Sequence, residues 1–316
     1  MKLVIAGASG FIGSALCSRL LDKGHVLTLL TRVAPRDAST ATKRWLHWTP
    51  GTPGHWETGV DGADGVINLA GEPIAAKRWT GRQKQKILTS RIETTNSLVE
   101  AIRKAKQKPG FLINASAVGY YGPRGDETVT EEAAAGQDFL SSVCREWEEK
   151  AKKAESLGLR VIRVRTGIVL GRGGGALAKM VPPFKFFVGG PLGSGTQWMS
   201  WIHLEDEVGL MLYLIEHSQA TGPFNATAPN PVRMKEFCQI LGQVMGRPSW
   251  APVPAFILRL ALGELAEMLL TGQRVIPAAA QKLGYQFRYA NLDAALKACM
   301  PLWKEATAQR TTDYVV

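Results

Sequence analysis

The sequence predicts an α/β protein, a doubly wound parallel sheet with a smaller C-terminal substrate or accessory region, and three observations carry the prediction. An apolar run, Leu3-Val-Ile-Ala6, stops at the glycine-rich turn Gly7-Ala-Ser-Gly-Phe-Ile-Gly13. Apolar, β-branched runs then recur at 24–31, 66–71, 111–116 and 160–170. Between them, residues 84–105 and 139–154 carry apolar positions at the helical period. Strands alternating with helices specify a parallel sheet covered on both faces, here of the Rossmann type.

Each element follows in order. The first strand feeds a tight turn at Gly7, Gly10 lets backbone approach a pyrophosphate, and Gly13 lets the following helix pack on the sheet. The helix itself is marked by Ala15, Leu16, Leu20 and Leu21. Candidate cofactor contacts on this turn are Gly7, Ser9, Gly10, Phe11, Ile12 and Gly13. The second strand ends in Thr31-Arg32, where a site selective for NAD would place an acidic residue for the ribose hydroxyls. Arg32 instead offers a planar cation for a 2′-phosphate, with Thr31 as a hydroxyl donor, so the expected cofactor is NADP(H). The run at 66–71 closes on Leu69, Ala70 and Gly71, small enough to let backbone approach the cofactor. The runs at 111–116 and 160–170 supply two further strands.

The C-terminal half is richer in turns. Gly171-Arg-Gly-Gly-Gly175 reads as a hinge or mobile lid, followed by an apolar helix over 176–187. Gln197, Trp201 and His203 follow a second glycine-rich segment and are candidates to line a substrate pocket. His203 has no partner histidine at ligand spacing, so a structural hydrogen bond or a substrate contact stands in place of a metal. Asp206 reads as a helix-start residue. Residues 234–245 form an amphipathic helix closed by Gly246-Arg-Pro248, and 255–262 read as an apolar, packed helix. The expected organisation is a nucleotide-binding core over 1–170 to which 200–228 returns. Substrate-side segments over 171–248, a small C-terminal domain over 249–300 and a tail over 301–316 complete it.

A chain of 316 residues, 45% hydrophobic and 21% charged, can bury one large core or two ordinary ones, which excludes a disordered or fibrous protein. Its net charge of +11 is scattered through several short clusters without aromatic interleaving, which argues against nucleic-acid binding and suits a phosphate-bearing cofactor. Cys17, Cys144, Cys238 and Cys299 show no CxxC pair and sit among apolar neighbours, as buried reduced thiols. No membrane-spanning run and no signal segment are read, so a cytoplasmic location without membrane contact is expected.

Further stretches carry a family resemblance: Asn68-Leu-Ala-Gly-Glu-Pro-Ile74, Arg78-Trp-Thr80, Ser116-Ala-Val-Gly-Tyr-Tyr-Gly122, Trp147-Glu148, Arg165-Thr-Gly-Ile-Val-Leu-Gly171, Trp201-Ile-His203 and Gly222-Pro-Phe-Asn225. With the glycine turn they run in order along nearly the whole chain. The sequence resembles the extended short-chain dehydrogenase/reductase superfamily, within it the atypical NAD-dependent epimerase/dehydratase-like epimerase-family proteins of the cell-division-inhibitor-like branch. The resemblance implies an NADP(H)-dependent oxidoreductase or epimerase-like enzyme acting on a small polar or sugar-like substrate. It implies cofactor-phosphate contacts through Lys86 and Arg91, a small C-terminal domain and homodimerisation through the two long helices. Active members of the superfamily use a Tyr-x-x-x-Lys pair after the fifth strand, where tyrosine moves a proton and lysine lowers its pKa. No such pair occurs here; the equivalent positions are Cys144 and Glu148. Ser116 remains to orient a substrate, Tyr120 or Tyr121 to supply a phenol, and Glu148 to contact ribose or to pair with an arginine. The alternative is a non-catalytic NADP-binding sensor or scaffold.

Overall fold

The computed structural model describes residues 1–33 and 39–300. Strand β1 (Lys2–Ala6) is buried from Leu3 onward, and its alternation assigns each side chain to a layer: Leu3 and Ile5 enter one core, Val4 and Ala6 the other. A strand apolar on both faces belongs mid-sheet between helical layers. There it pairs in parallel with β2 (Val26–Thr31), which in turn pairs with the edge strand β3 (Lys43–His47). On its other side lie β4 (Gly65–Asn68), β5 (Phe111–Ala117), β6 (Arg160–Thr166) and β7 (Gly222–Ala226). The sheet has seven parallel strands in the order β7-β6-β5-β4-β1-β2-β3, and strand order reverses between β1 and β4.

Helices α1 (Phe11–Asp22), α2 (Gly81–Lys104), α3 (Phe139–Lys152), α4 (Leu177–Lys185) and α5 (Leu204–Glu216) supply the covering layers and the start of the C-terminal half. Leu16 and Leu20 of α1 meet Leu210 and Leu214 of α5 in one core; Leu98 and Ile102 of α2 meet Ala151 of α3 in the other. Caps fix the starts of α2 and α3. Thr80 Oγ1 accepts from the Gln83 amide at 3.2 Å, and Asp138 Oδ1 accepts from the Ser141 amide at 2.7 Å. A third core joins α4 to α6 (Met234–Met245), which stops where Gly246 takes a φ of +62°. Beyond it lie α7 (Ala255–Leu262), α8 (Leu265–Leu270), α9 (Ala278–Lys282) and α10 (Leu292–Cys299), the last returning to that core through Leu292 and Leu296.

Several expectations are corrected. The strand expected over 160–170 breaks at Gly167, which runs so close to Ser200 that a Cβ there would lie 2.3 Å from the Ser200 carbonyl oxygen. Ile168–Gly171 therefore leaves the main sheet and pairs with Trp201–His203. Strand β3 was unforeseen; its Lys43 and Arg44 read as basic surface, and at a sheet edge that surface is half true. The hinge at 171–175 is a packed antiparallel turn, with Leu170 opposite Gly175 and Gly171 opposite Gly174. Helix α7 forms but is not packed all round: it buries Leu258 and leaves Phe256, Ile257 and Leu260 exposed, because α8 covers one side only. Asp206 does stand in the first turn of α5, as a helix-start residue, but its side chain is not the cap. The cap is His203, accepting from the Glu205 amide, while Asp206 receives the Arg288 and Tyr289 amides at 2.8 Å and ties the C-terminal segment down. All four cysteines are free and buried. The expected tail, 301–316, lies outside the described residues.

Candidate functional site

The junction of β1 and α1 is built backbone to backbone. Gly7 has φ +84°, and a Cβ on it would stand 2.6 Å from the Leu69 carbonyl carbon; a Cβ on Gly13 would stand 2.2 Å from the Gly7 oxygen. Helix α1 opens at Gly10 with no side-chain cap and no acidic residue in its first turn, so its amides and positive dipole end are not neutralised locally. Beside this end lies a cavity of about 1140 Å³, at the crevice where strand order reverses. Gly7, Ser9, Gly10, Thr31, Arg32, Leu69, Ala70, Gly71 and Lys86 all line it. Strand β3 adds Lys43 and Trp45, which sequence reasoning missed; the signal available was a Trp-Leu pair inside a basic run.

The remaining cofactor candidates are placed beside that cavity without lining it. Phe11 turns its ring to the turn at 171–175, where a Cβ on Gly174 would meet it at 2.4 Å. Those glycines serve packing, not hinge motion. Ile12 packs toward the core of α1 and α5. The Arg91 guanidinium donates to the Glu72 carbonyl at 3.0 Å and to the Ile87 carbonyl at 2.9 Å, and lies over the Trp147 ring at 5.0 Å. Burial lowers its pKa, and its bonds hold the 71–72 backbone in place. Thr31 Oγ1 is engaged in its own turn, donating to the Val33 carbonyl at 2.7 Å. Arg32 is exposed at the cavity rim.

Ser116, Tyr121 and Glu148 converge on one buried network. Ser116 Oγ donates to Glu148 Oε1 at 2.7 Å. Arg165, from β6, donates to both Glu148 oxygens at 2.8 and 2.9 Å, and to the Tyr121 hydroxyl at 2.9 Å. Tyr121 in turn donates to Asn225 Oδ1 at 2.6 Å. Burial pushes the Tyr121 phenol up to about 12, against the lowering pull of Arg165. Burial also works against the charge of Arg165, but the Glu148 carboxylate outweighs it and raises the guanidinium above its usual value. Of the two readings left open for Glu148, the arginine pair is the one found. Cys144 is packed behind Ser116 with its thiol raised to about 12 by burial. The half-buried Tyr120 lies over the Arg165 guanidinium at 3.6 Å. Sequence reasoning missed Arg165 and Asn225, although an arginine alternating with valines in a central strand signals a buried ion pair.

The three substrate-side candidates do not meet at the cavity. Trp201 has no exposed surface; its indole donates to the Asn230 carbonyl at 3.0 Å inside the C-terminal core. Gln197 donates to the Leu192 and Leu269 carbonyls, and His203, buried against Tyr289, caps α5. Each holds backbone together. Among the described residues no three His, Cys, Asp or Glu side chains are grouped to hold a metal ion, and no helix is long and apolar enough to cross a membrane.

A seven-stranded parallel sheet with a capless helix end at its crossover crevice defines a dinucleotide-binding protein of the Rossmann class. The chain belongs to the NAD dependent epimerase/dehydratase family, whose sequence profile matches residues 3–226; residues 253–299 match a domain of unknown function (DUF1731). It is 44% identical over 303 residues to the chloroplastic epimerase family protein SDR39U1 homolog of Arabidopsis thaliana, spanning 95% of this chain and 87% of that protein. It is 41% identical to epimerase family protein YfhF of Bacillus subtilis, spanning 94% and 97%. Among solved structures it resembles human epimerase family protein SDR39U1 (isoform 2) with NADPH, at 34% identity and a TM-score of 0.83, covering 95% of this chain and 99% of that one.

Proposed function

We propose that the chain binds NADP(H) in the cavity at the end of α1 and acts as an oxidoreductase or epimerase-like enzyme on a small polar or sugar-like substrate. The residues present fit such a cofactor. A Cβ at Gly7 or Gly13 would collide with the Leu69 or Gly7 backbone, so only glycine keeps this turn tight beside the start of α1, and the cavity exceeds the roughly 300–1,000 Å³ of ordinary small-ligand clefts. The observation that carries NADP over NAD is Arg32, a cation at the rim where an acidic residue would repel a 2′-phosphate. The human relative solved with NADPH supports the same choice. Lys86 and Lys43 line the same cavity and add positive charge.

The cofactor supplies hydride donation or acceptance at its nicotinamide. The chain's own residues would set the rest: the start of α1 would hold the pyrophosphate, Arg91 fixes the Glu72 carbonyl, and Ser116 stands buried near the C-terminal end of β5. Ser116 points its proton at Glu148, so its oxygen is left to accept a hydrogen bond from a substrate hydroxyl. Tyr121 is fully buried and both donates and accepts within the network, which leaves Tyr120 as the more accessible phenol.

A second reading, a non-catalytic NADP-binding sensor or scaffold, is favoured by one observation: Ser116, Tyr121, Glu148 and Arg165 satisfy one another internally. Titrating nucleotide-stripped protein with NADPH and NADH, beside Arg32→Ala, tests the cofactor. Tight NADPH binding lost in that variant supports the proposal; absence of binding by folded protein overturns it. Oxidation of bound NADPH by any member of a carbonyl panel separates enzyme from sensor.

A further inference from the structure

One face of α2 lines the cavity for two turns. Lys86, Thr89, Ser90, Glu93 and Thr94 all stand on it, at the i, i+3, i+4, i+7 and i+8 spacing of a single helix face. From Lys86 to Glu93 that face runs about 10 Å. Two ties fix its height against the sheet. The Glu72 amide, beyond the end of β4, donates to Ser90 Oγ at 3.0 Å. Further along the helix, the Gly51 amide donates to Ser97 Oγ at 2.7 Å, and Ser97 Oγ donates to the Glu93 carbonyl at 2.7 Å.

These ties bring Glu93 to the same end of the cavity as Arg32. The Trp48 amide donates to the Thr31 carbonyl at 2.8 Å, so the chain leaving β3 passes beside the end of β2. Trp48, Thr49 and Pro50 then line the cavity before Gly51 reaches α2. Trp48 is buried against Trp56, with ring centroids 5.6 Å apart, which fixes this wall. The hydroxyls nearby are engaged: Thr31 donates to the Val33 carbonyl, Thr89 to that of Gln85, Ser90 to that of Ile87 and Thr94 to that of Ser90. Of the two acids that line the cavity, Glu72 accepts from Gln83 Nε2 at 3.4 Å. The Glu93 carboxylate has no hydrogen bond or ion pair among the described residues.

We infer that Glu93 is the residue that selects the base of the dinucleotide: its carboxylate accepts a hydrogen bond from the exocyclic amino group of adenine, with Trp48 and Pro50 as the apolar wall of the base pocket. The inference rests on the NADP(H) reading above. On that reading the base and the 2′-phosphate are carried by one ribose, so the base must lie beside Arg32, where these residues stand. A carboxylate offers only acceptors. It suits the amino group of adenine and opposes the carbonyl that hypoxanthine carries at the same position. Without a donor to face it, an acid here would only repel the phosphate that Arg32 attracts.

The test is calorimetric titration of the nucleotide-stripped full chain with NADPH and with its deamino analogue, in which hypoxanthine replaces adenine, for wild type and Glu93→Gln. Glutamine keeps the size and helix propensity of glutamate, and its amide can turn to accept or to donate, so it suits either base. Wild type should bind NADPH roughly tenfold more tightly than the deamino analogue, and Glu93→Gln should bring that ratio to about one, with the melting temperature unchanged. A role through charge alone would change both affinities by the same factor and leave the ratio where it was. Two results overturn the inference while the cofactor assignment stands: wild type binds both dinucleotides equally, or the preference for NADPH survives in Glu93→Gln. Binding of neither dinucleotide by folded protein overturns both.

Discussion

On the proposed reading, replacing Arg32 by alanine would remove a charge-assisted contact to the 2′-phosphate and leave the rest of the cavity intact. NADPH affinity should fall roughly 10- to 100-fold, with NADH little changed, as isothermal titration would show. Glu148→Gln removes one charge of a buried, doubly hydrogen-bonded pair and strands Arg165 in the interior. Such a break costs about 3–5 kcal/mol, and pairing Glu148→Leu with Arg165→Met should restore much of it in urea denaturation. Phe187→Gly relieves a positive φ and should raise stability by about 1 kcal/mol. At this scale the sequence was unevenly legible. The glycines of the turn are readable because their function is to lack a side chain, which is itself a sequence fact. The partners of Glu148 and Tyr121 are not, since Arg165 and Asn225 come from strands 17 and 104 residues away.

Elements show where local rules meet tertiary geometry. Strand β1, helix α6 and its glycine stop were predictable because apolar period and cap chemistry agree there. The strand at 160–170 failed at Gly167, where the deciding contact is Ser200, in another part of the chain. Helix α7 was legible as a helix but not as an exposed one, because periodicity reports an apolar face without its partner. The turn between β1 and α1 has a sharper consequence. Gly13→Ala would drive a Cβ into the Gly7 oxygen, costing about 1–3 kcal/mol and weakening NADPH binding together, measurable by melting and titration on one sample. Where β6 meets α5, Glu207 is fully buried, accepts only from Thr166 Oγ1 at 2.8 Å, and has its carboxyl raised by burial to about 8. Its folded pKa exceeds the unfolded one, so the folded state holds the proton. That stabilisation is complete below the ordinary glutamate pKa and is lost as pH rises toward and through 8. Glu207→Gln should flatten the decline in denaturation midpoint between pH 5 and 8.

For the whole molecule, the nucleotide half and the C-terminal half meet over the loop before α2 and the first turn of α2. Arg78 reaches the Leu260 carbonyl, Lys84 pairs with Glu264 at 2.8 Å, and Lys179 donates to the Ala75 carbonyl. The same segment begins at Gly71 and Glu72, which line the cavity, so events at the C-terminal helices and at the cofactor site share one piece of backbone. The four thiols offer a way to watch this. Cys17 lies at the cavity, Cys144 behind Ser116, and Cys238 and Cys299 in the C-terminal core, each raised to about 12 by burial. A thiol so placed reacts with an alkylating reagent only when its own neighbourhood opens. The chain therefore carries natural clocks for local unfolding, and saturating NADPH should slow the Cys17 clock most.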